Sequence, residues 1–271
     1  MTDPSSRSGS SVSAFFVLTF LLSLPFYGLN ALAHFHVLGE PELGPLFIGL
    51  FTAAPIASAV ILTFRRRGSR GVKELLKRSF DFKRIPARWY LPTLLLGPLI
   101  LLLSVGALVM TGASIGTSLI PLVALPIVFL LFFVMAAGEE VGWMGHAFEP
   151  MQKRAGALRA ALVLGVIWAL WHVPFFVFLM PHPVVLGAQV LTLVGNRVLV
   201  AWIFNNTGKS VFAAILFHAA DNTALVILPD IHANAPWGAV TLSGLTLVAA
   251  AAATLLWGSE TLARFKVRHP A

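Results

Sequence analysis

Apolar residues run through this chain in long blocks, separated by short polar connections and one basic stretch. A block of about 18 or more apolar residues is long enough to cross the hydrocarbon core of a bilayer as a helix. Eight such blocks are present, at about 12–34, 44–64, 89–110, 119–147, 158–180, 184–204, 210–228 and 237–258. The pattern predicts an all-α fold, a polytopic membrane helix bundle of about eight transmembrane helices, forming one integral-membrane domain over residues 1–271. The first block is longer than a secretory h-region and is followed by no clear cleavage site, so it reads as a retained anchor. No soluble domain, low-complexity segment or internal repeat stands out.

Composition agrees with that pattern. The chain is 58% hydrophobic and 11% charged, against roughly 25% charged for a soluble domain. It has no cysteine, which excludes disulfides, thiolate metal sites and cysteine nucleophiles together.

Charge then orients the path. The stretch "RRRGSRGVKELLKRSFDFKRIPAR" (65–88) holds ten of the 19 Lys and Arg residues. Arg7 precedes the first block, Lys153, Arg154 and Arg159 separate the fourth and fifth, Lys209 separates the sixth and seventh, and Arg264, Lys266 and Arg268 follow the eighth. The alternate connections "HFHVLGEPELG", "TGASIG", "PHP" and "PDIHANAP" contain no Lys or Arg. An eight-span path with both termini cytoplasmic puts every basic residue except Arg197 on one side, as the positive-inside rule expects. The net charge of +8 is therefore mostly topology. Nucleic acid is excluded as a partner because no basic domain exists to carry it. The 65–88 stretch, mixed with Leu and Phe, suits a short surface helix on anionic headgroups. The expected setting is the lipid bilayer of an inner (cell) membrane, taken as bacterial; the pattern assigns no oligomeric state.

Ionisable and amide side chains inside spans are functional candidates, because lipid penalises unsatisfied ones. They cluster in the second half of the chain. The fourth block ends in "AAGEEVGWMGHAF", with Glu139 and Glu140; the fifth carries His172 in "IWALWHVPFF"; the sixth carries Asn196 and Arg197; the seventh carries His218, Asp221 and Asn222 in "ILFHAADNTA". His218 and Asn222 are four apart and share a helix face, with Asp221 near it, and Trp168 lies four residues before His172. Glu139 and Glu140 diverge by about 100° around a helix. One should face a site and the other a supporting partner.

This set suits hydrolysis. A carboxylate can take a proton from water, a neutral histidine can help hold that water, and a second histidine with an asparagine can donate to the oxyanion of a tetrahedral intermediate. Two histidines and a glutamate also resemble a zinc ligand set, but there is no H-E-x-x-H. Serine-hydrolase, phosphate-loop and dinucleotide motifs are absent too.

The stretches "GEEVGWMG", "WALWHVPFF" and "NNTGKSVFAAILFHAADN" resemble, in order and spacing, the three motifs of the CPBP family of CAAX prenyl endopeptidases and bacteriocin-processing or immunity (Abi-type) membrane proteins. The resemblance covers about residues 119–226. It implies an intramembrane endopeptidase with its site inside the bundle. By position it makes Glu139 the water-activating residue and His172 its assistant. It makes His218 and Asn222 the oxyanion donors, and Glu140 the supporting carboxylate. The family is often described as metalloproteases, and a metal-free glutamate mechanism is also proposed for it. The missing H-E-x-x-H favours no cofactor. If zinc were bound, Glu139, His172 and His218 would be its ligands. The expected substrate is a peptide or a lipidated protein.

One position departs from the family pattern E-E-x-x-x-R: the arginine is replaced by Met144. Glu140 then needs another cation, a proton or water. Two alternatives to an active enzyme follow, an inactive family member serving as a binding or immunity factor and a proton-coupled transporter. Arg197 lies about ten residues, or ~15 Å of helix, before Asn206. Snorkelling to the cytoplasmic interface is open to it; so is an ion pair with Glu140, or with Asp221. Glu139, His172, His218 and Asn222 are expected to converge on a water-accessible cavity that opens toward the cytoplasmic side.

Overall fold

A computed structural model describes residues 4–35, 49–231 and 235–263. Residues 44–48 of the second predicted span, and Arg264, Lys266 and Arg268, lie outside the described residues. The described chain is a helix bundle: α1 (Pro4–His34), α2 (Ala54–Ser79), α3 (Ala87–Met110), α4 (Leu125–Gly142), α5 (Glu149–Ala155), α6 (Ala157–Leu179), α7 (Pro183–Asn206), α8 (Val211–Ile227) and α9 (Trp237–Trp257). A π-helical segment, Trp143–Phe148, joins α4 to α5.

Among the described residues, six segments are long and apolar enough to cross a membrane: Val12–His34, Ala87–Met110, Leu122–Ala155, Ala157–Leu179, Pro183–Asn206 and Trp237–Trp257. The predicted seventh span is α8, which is shorter at 17 residues. The predicted second span corresponds to the apolar first part of α2. At Gly68, whose φ of 61° and ψ of −163° are non-helical, the chain kinks, and the basic stretch from Ser69 to Ser79 forms a short helix beyond the kink. The predicted fourth span differs: residues before Leu125 form a bridge and a 3₁₀ turn, and helical structure continues past 147 to Ala155.

Lipid offers no hydrogen bonds, so each span must satisfy its own polar groups. Several buried hydroxyls do this by donating to the carbonyl four residues back, as Ser58 does to Ala54, Ser104 to Ile100, Thr223 to Ala219 and Thr246 to Leu242. Ser210 caps α8 by accepting from the backbone N–H of Ala213 at 3.1 Å. Outward-facing Leu91, Leu103, Leu130 and Leu255 are exposed, as lipid-facing positions should be.

The two ends of the bundle differ. At the basic end, Glu149 binds Arg78 (2.9 Å), Lys153 (3.4 Å) and Lys209 (3.1 Å). There the Asn205 amide donates to Gln152 and to the Thr261 carbonyl, and the Asn206 amide to the Leu262 carbonyl. The backbone N–H groups of Ala157 and Leu158 donate to the carbonyls of Glu260 and Ser259. At the other end the chain before α4 pairs with the chain after α8 through Gly116, Ser118, Asp230 and Pro229.

α4 packs between α2 and α8. Two glycines four residues apart, Gly138 and Gly142, allow α2 to come against α4 at backbone distance: a Cβ on Gly138 would lie 2.6 Å from the Thr52 carbonyl oxygen, and one on Gly142 would lie 2.6 Å from Pro55. Small residues at this spacing are how membrane helices gain close contact without a hydrophobic driving force. They flank Glu139 and Glu140, so this contact fixes where the two carboxylates sit. Replacing Gly142 by Leu should therefore destabilise the protein by about 1–3 kcal/mol, the usual cost of overpacking, read as a lower unfolding midpoint in detergent. Gly106→Ala, where nothing lies within 4 Å of the added carbon, should not lower it.

Candidate active site

Glu139 and Glu140 end α4, are 3% and 0% exposed, and point to different partners. Glu139 Oε2 accepts a hydrogen bond from Trp168 Nε1 at 2.7 Å and lies 4.0 Å from His172 Nε2. His172 Nδ1 is 2.9 Å from the Trp168 carbonyl oxygen. A carbonyl can only accept, so Nδ1 carries the hydrogen, and the neutral ring presents the Nε2 lone pair toward Glu139. Trp168 therefore orients both partners, its indole N–H holding the carboxylate and its backbone holding the imidazole. Phe51 stacks on Trp171 at 3.7 Å between ring centroids, and Trp171 Nε1 donates to Ser23 at 2.8 Å, which ties this part of α6 to α1.

Glu140 faces away from that pair. Its Oε2 accepts from Arg197 Nη1 at 2.7 Å, and its Oε1 lies 2.9 Å from His218 Nδ1. Both members of the Glu140–Arg197 pair are fully buried. Arg197 does not snorkel to the interface. Its charged head is held inside by the carboxylate and by the Trp168 ring, 4.1 Å below Cζ. It does not pair with Asp221 either, which instead accepts from the Asn196 amide at 2.8 Å. Arg197 Nε and Nη2 are buried and make no hydrogen bond among the described residues. Met144, at the family's arginine position, is fully buried in the apolar core. The cation missing from α4 is thus supplied by α7.

Glu139, His172, His218 and Asn222 line one cavity of about 650 Å³, together with Trp168, Phe51, Phe175 and Leu193. Glu140 and Arg197 do not line it. A small chamber of about 40 Å³ adjoins it, with Asn196, His218, Asp221 and Asn222 among otherwise mostly apolar walls that include Leu101, Phe217 and Leu242; that is room for water. The four expected residues do converge, and the cavity they line extends away from the basic connections. From Glu139 the cavity lining extends to His34, Leu119, Leu179 and Met180, at the end of the bundle opposite the basic connections. Toward the basic end a layer of Val141, Trp143, Met144, Phe148, Ile203 and Phe204, all 0% exposed, separates it from a second cavity of about 660 Å³ lined by Arg78, His146 and Glu149.

Among the described residues, no group of three or more His, Asp or Glu side chains is arranged to hold a metal ion. In the conditional set of Glu139, His172 and His218, His218 Nδ1 faces Glu140 and Glu139 Oε2 accepts from Trp168. Sequence reasoning missed Asn30 and Gln189, which also line the cavity. Their signal was a lone amide in an otherwise apolar span. It also missed Gly138 and Gly142, although their four-residue spacing is readable in "GEEVG".

Comparison with known proteins adds to this geometry. The family model described as Type II CAAX prenyl endopeptidase Rce1-like matches residues 121–224. CAAX prenyl protease 2 of Methanococcus maripaludis is 27% identical over 179 residues, an alignment that covers 61% of this chain and 66% of that protein, just under two thirds of its length. Both findings are similarities to CAAX prenyl proteases, and the family match falls on the part of the chain that carries Glu139, His172, His218 and Asn222.

The buried pair yields a sharp expectation. Removing one partner leaves an uncompensated charge in a dry bundle, which typically costs about 3–5 kcal/mol. Glu140→Gln and Arg197→Gln should each destabilise strongly, and the double variant should lose clearly less than the sum in a double-mutant cycle. Unfolding in detergent measures the stability arm. Returning the cation to α4 with Met144→Arg should recover part of the Arg197→Gln loss.

Proposed function

We propose that this protein is an intramembrane endopeptidase that cleaves a peptide bond with a water activated by Glu139 and His172. The observation that carries this reading is the 4.0 Å separation of Glu139 Oε2 and His172 Nε2 in the wall of a cavity. That gap is too long for a direct hydrogen bond and fits one water oxygen about 2.8 Å from each atom.

In this reading Glu139 takes a proton as the water attacks the scissile carbonyl carbon, and His172 Nε2 accepts the second water hydrogen and fixes the lone pair that attacks. Trp168 keeps Glu139 from rotating away. His218, with Nδ1–H given to Glu140, turns Nε2 to the cavity. A carboxylate behind an imidazole both orients it and stabilises its imidazolium, so His218 would donate Nε2–H to the oxyanion. The Asn222 amide, one helical turn along α8, is the second donor. Glu139 then passes its proton to the departing amine as the C–N bond breaks. No step is routed through a metal.

The main observation favouring an inactive member was the absence of an arginine at Met144; Arg197 supplies that charge to Glu140 from another helix. The proposed setting is a bacterial inner membrane with both termini cytoplasmic. The proposed substrate is a peptide or lipidated protein segment reaching the cavity from the bilayer.

Purified protein and a labelled peptide library test the reading. Glu139→Gln should lower cleavage by about 10²–10⁴ with the fold intact, as for loss of a general base. His218→Ala and Asn222→Ala should each lower it by about 10²–10³, as for loss of an oxyanion donor. A chelator should leave the rate unchanged. Full activity in Glu139→Gln protein would assign water activation to another residue, and activity abolished by chelator and restored by zinc would replace the metal-free scheme.

A further inference from the structure

The cavity and the positive charges occupy opposite ends of the bundle. The charges are in the connections: Arg65, Arg66, Arg67 and Arg70 in the second half of α2, Lys153 and Arg154 at the end of α5, and Lys209 before α8. Short loops rich in Lys and Arg stay on the cytoplasmic side. The cavity mouth is elsewhere. His34 ends α1, Leu119 precedes α4, and Leu179 and Met180 end α6; these all lie at the end reached after crossing the bilayer from the basic side. Among the described residues, His34, Leu119 and Leu179 are exposed at that end.

Depth points the same way. His172 lies about 10 Å of helix from Leu179 and about 22 Å from Ala157, at 1.5 Å per residue. Between the site and the cytoplasmic face stand the Glu140–Arg197 pair and a layer of fully buried side chains that includes Trp143, Met144 and Phe148. Beneath those, Glu149 with its three cations and the Asn205 and Asn206 bonds brace the floor.

We propose that the site takes its substrate from the non-cytoplasmic side: a peptide segment exposed on the outer face or in the outer leaflet, held in place by an apolar anchor. Phe175, Phe176, Phe178, Leu179 and Met180 make the walls toward the mouth apolar and aromatic. They suit a hydrocarbon chain or an apolar helix end lying beside the scissile bond. A protein whose cleavage site stays in the cytoplasm would meet the braced floor. This assignment of substrate side rests on the peptidase reading, while the sidedness of the cavity stands by itself.

The chain contains no cysteine, so single cysteines report accessibility without background. Leu119→Cys and Met180→Cys mark the mouth; Arg70→Cys and Lys153→Cys mark the braced end. In intact spheroplasts a membrane-impermeant maleimide should label the first two, and should label the second two only after permeabilisation. Labelling of Arg70→Cys or Lys153→Cys from outside, or of the mouth positions only after permeabilisation, would overturn the proposal.

Sealed membrane vesicles carry the substrate arm. A fluorogenic peptide bearing one acyl chain, added to the outer leaflet, should be cleaved by right-side-out vesicles and not by inside-out ones. Cleavage by inside-out vesicles alone would overturn the substrate side. Cleavage in neither orientation, with the expected labelling, would overturn the peptidase reading and with it the substrate assignment, while the sidedness of the cavity would hold.

Discussion

The structure depends on keeping a carboxylate charged where there is no water. Glu140 is fully buried, and it is held by Arg197 from α7 and His218 from α8. Transfer of a charged side chain to a helix centre in lipid costs about 2.5–3.5 kcal/mol on insertion scales. Two charge-assisted contacts from two other helices offset that cost and give the bundle its register. Move α7 by one residue and the guanidinium turns about 100° away from the carboxylate. The same pair aligns the catalytic candidates, because His218 hangs on Glu140 and the Trp168 ring lies against Arg197.

Adjacent glutamates divide the labour through helix geometry alone. Glu139 looks into the cavity and Glu140 looks into the packed floor. Successive residues on a helix cannot share a direction, so the pair joins chemistry to scaffold at one point on α4. Glycines on either side of the pair bring α2 close enough to lock that point. A π-helical turn, Trp143–Phe148, follows and carries the helix on into α5. Such turns recur where a functional residue needs a facing that regular helix does not provide.

Most of the bundle was legible because lipid enforces apolar length. Block boundaries for α3, α6, α7, α8 and α9 fell within two residues of the helix ends. The fourth span read less well, because the bridge before Leu125 depends on partners near Pro229 that are far away in sequence. In the site, Glu139, His172, His218 and Asn222 were found because ionisable groups and amides stand out in apolar helices. The place of Arg197 stayed open, since sequence places a cation at a depth but not beside a partner on another helix. The end toward which the cavity extends was not legible for a similar reason: charge marks the basic end, whereas the packing of Trp143, Met144 and Phe148 decides which end is closed.

Arg197 lies 57 residues after Glu140, and that separation has a consequence for biosynthesis. Where the cation sits four residues from the carboxylate, the helix leaves the ribosome with its own counter-charge and can pass into lipid as a neutral unit. Here α4 emerges with two glutamates and no arginine, and α5, α6 and most of α7 must be made before the partner exists. During that interval the apolar run of α4, among the most hydropathic of the spans, has to carry the two glutamates into the bilayer without their cation. The buried pair that fixes the register of the bundle is therefore completed late, by the arrival of α7.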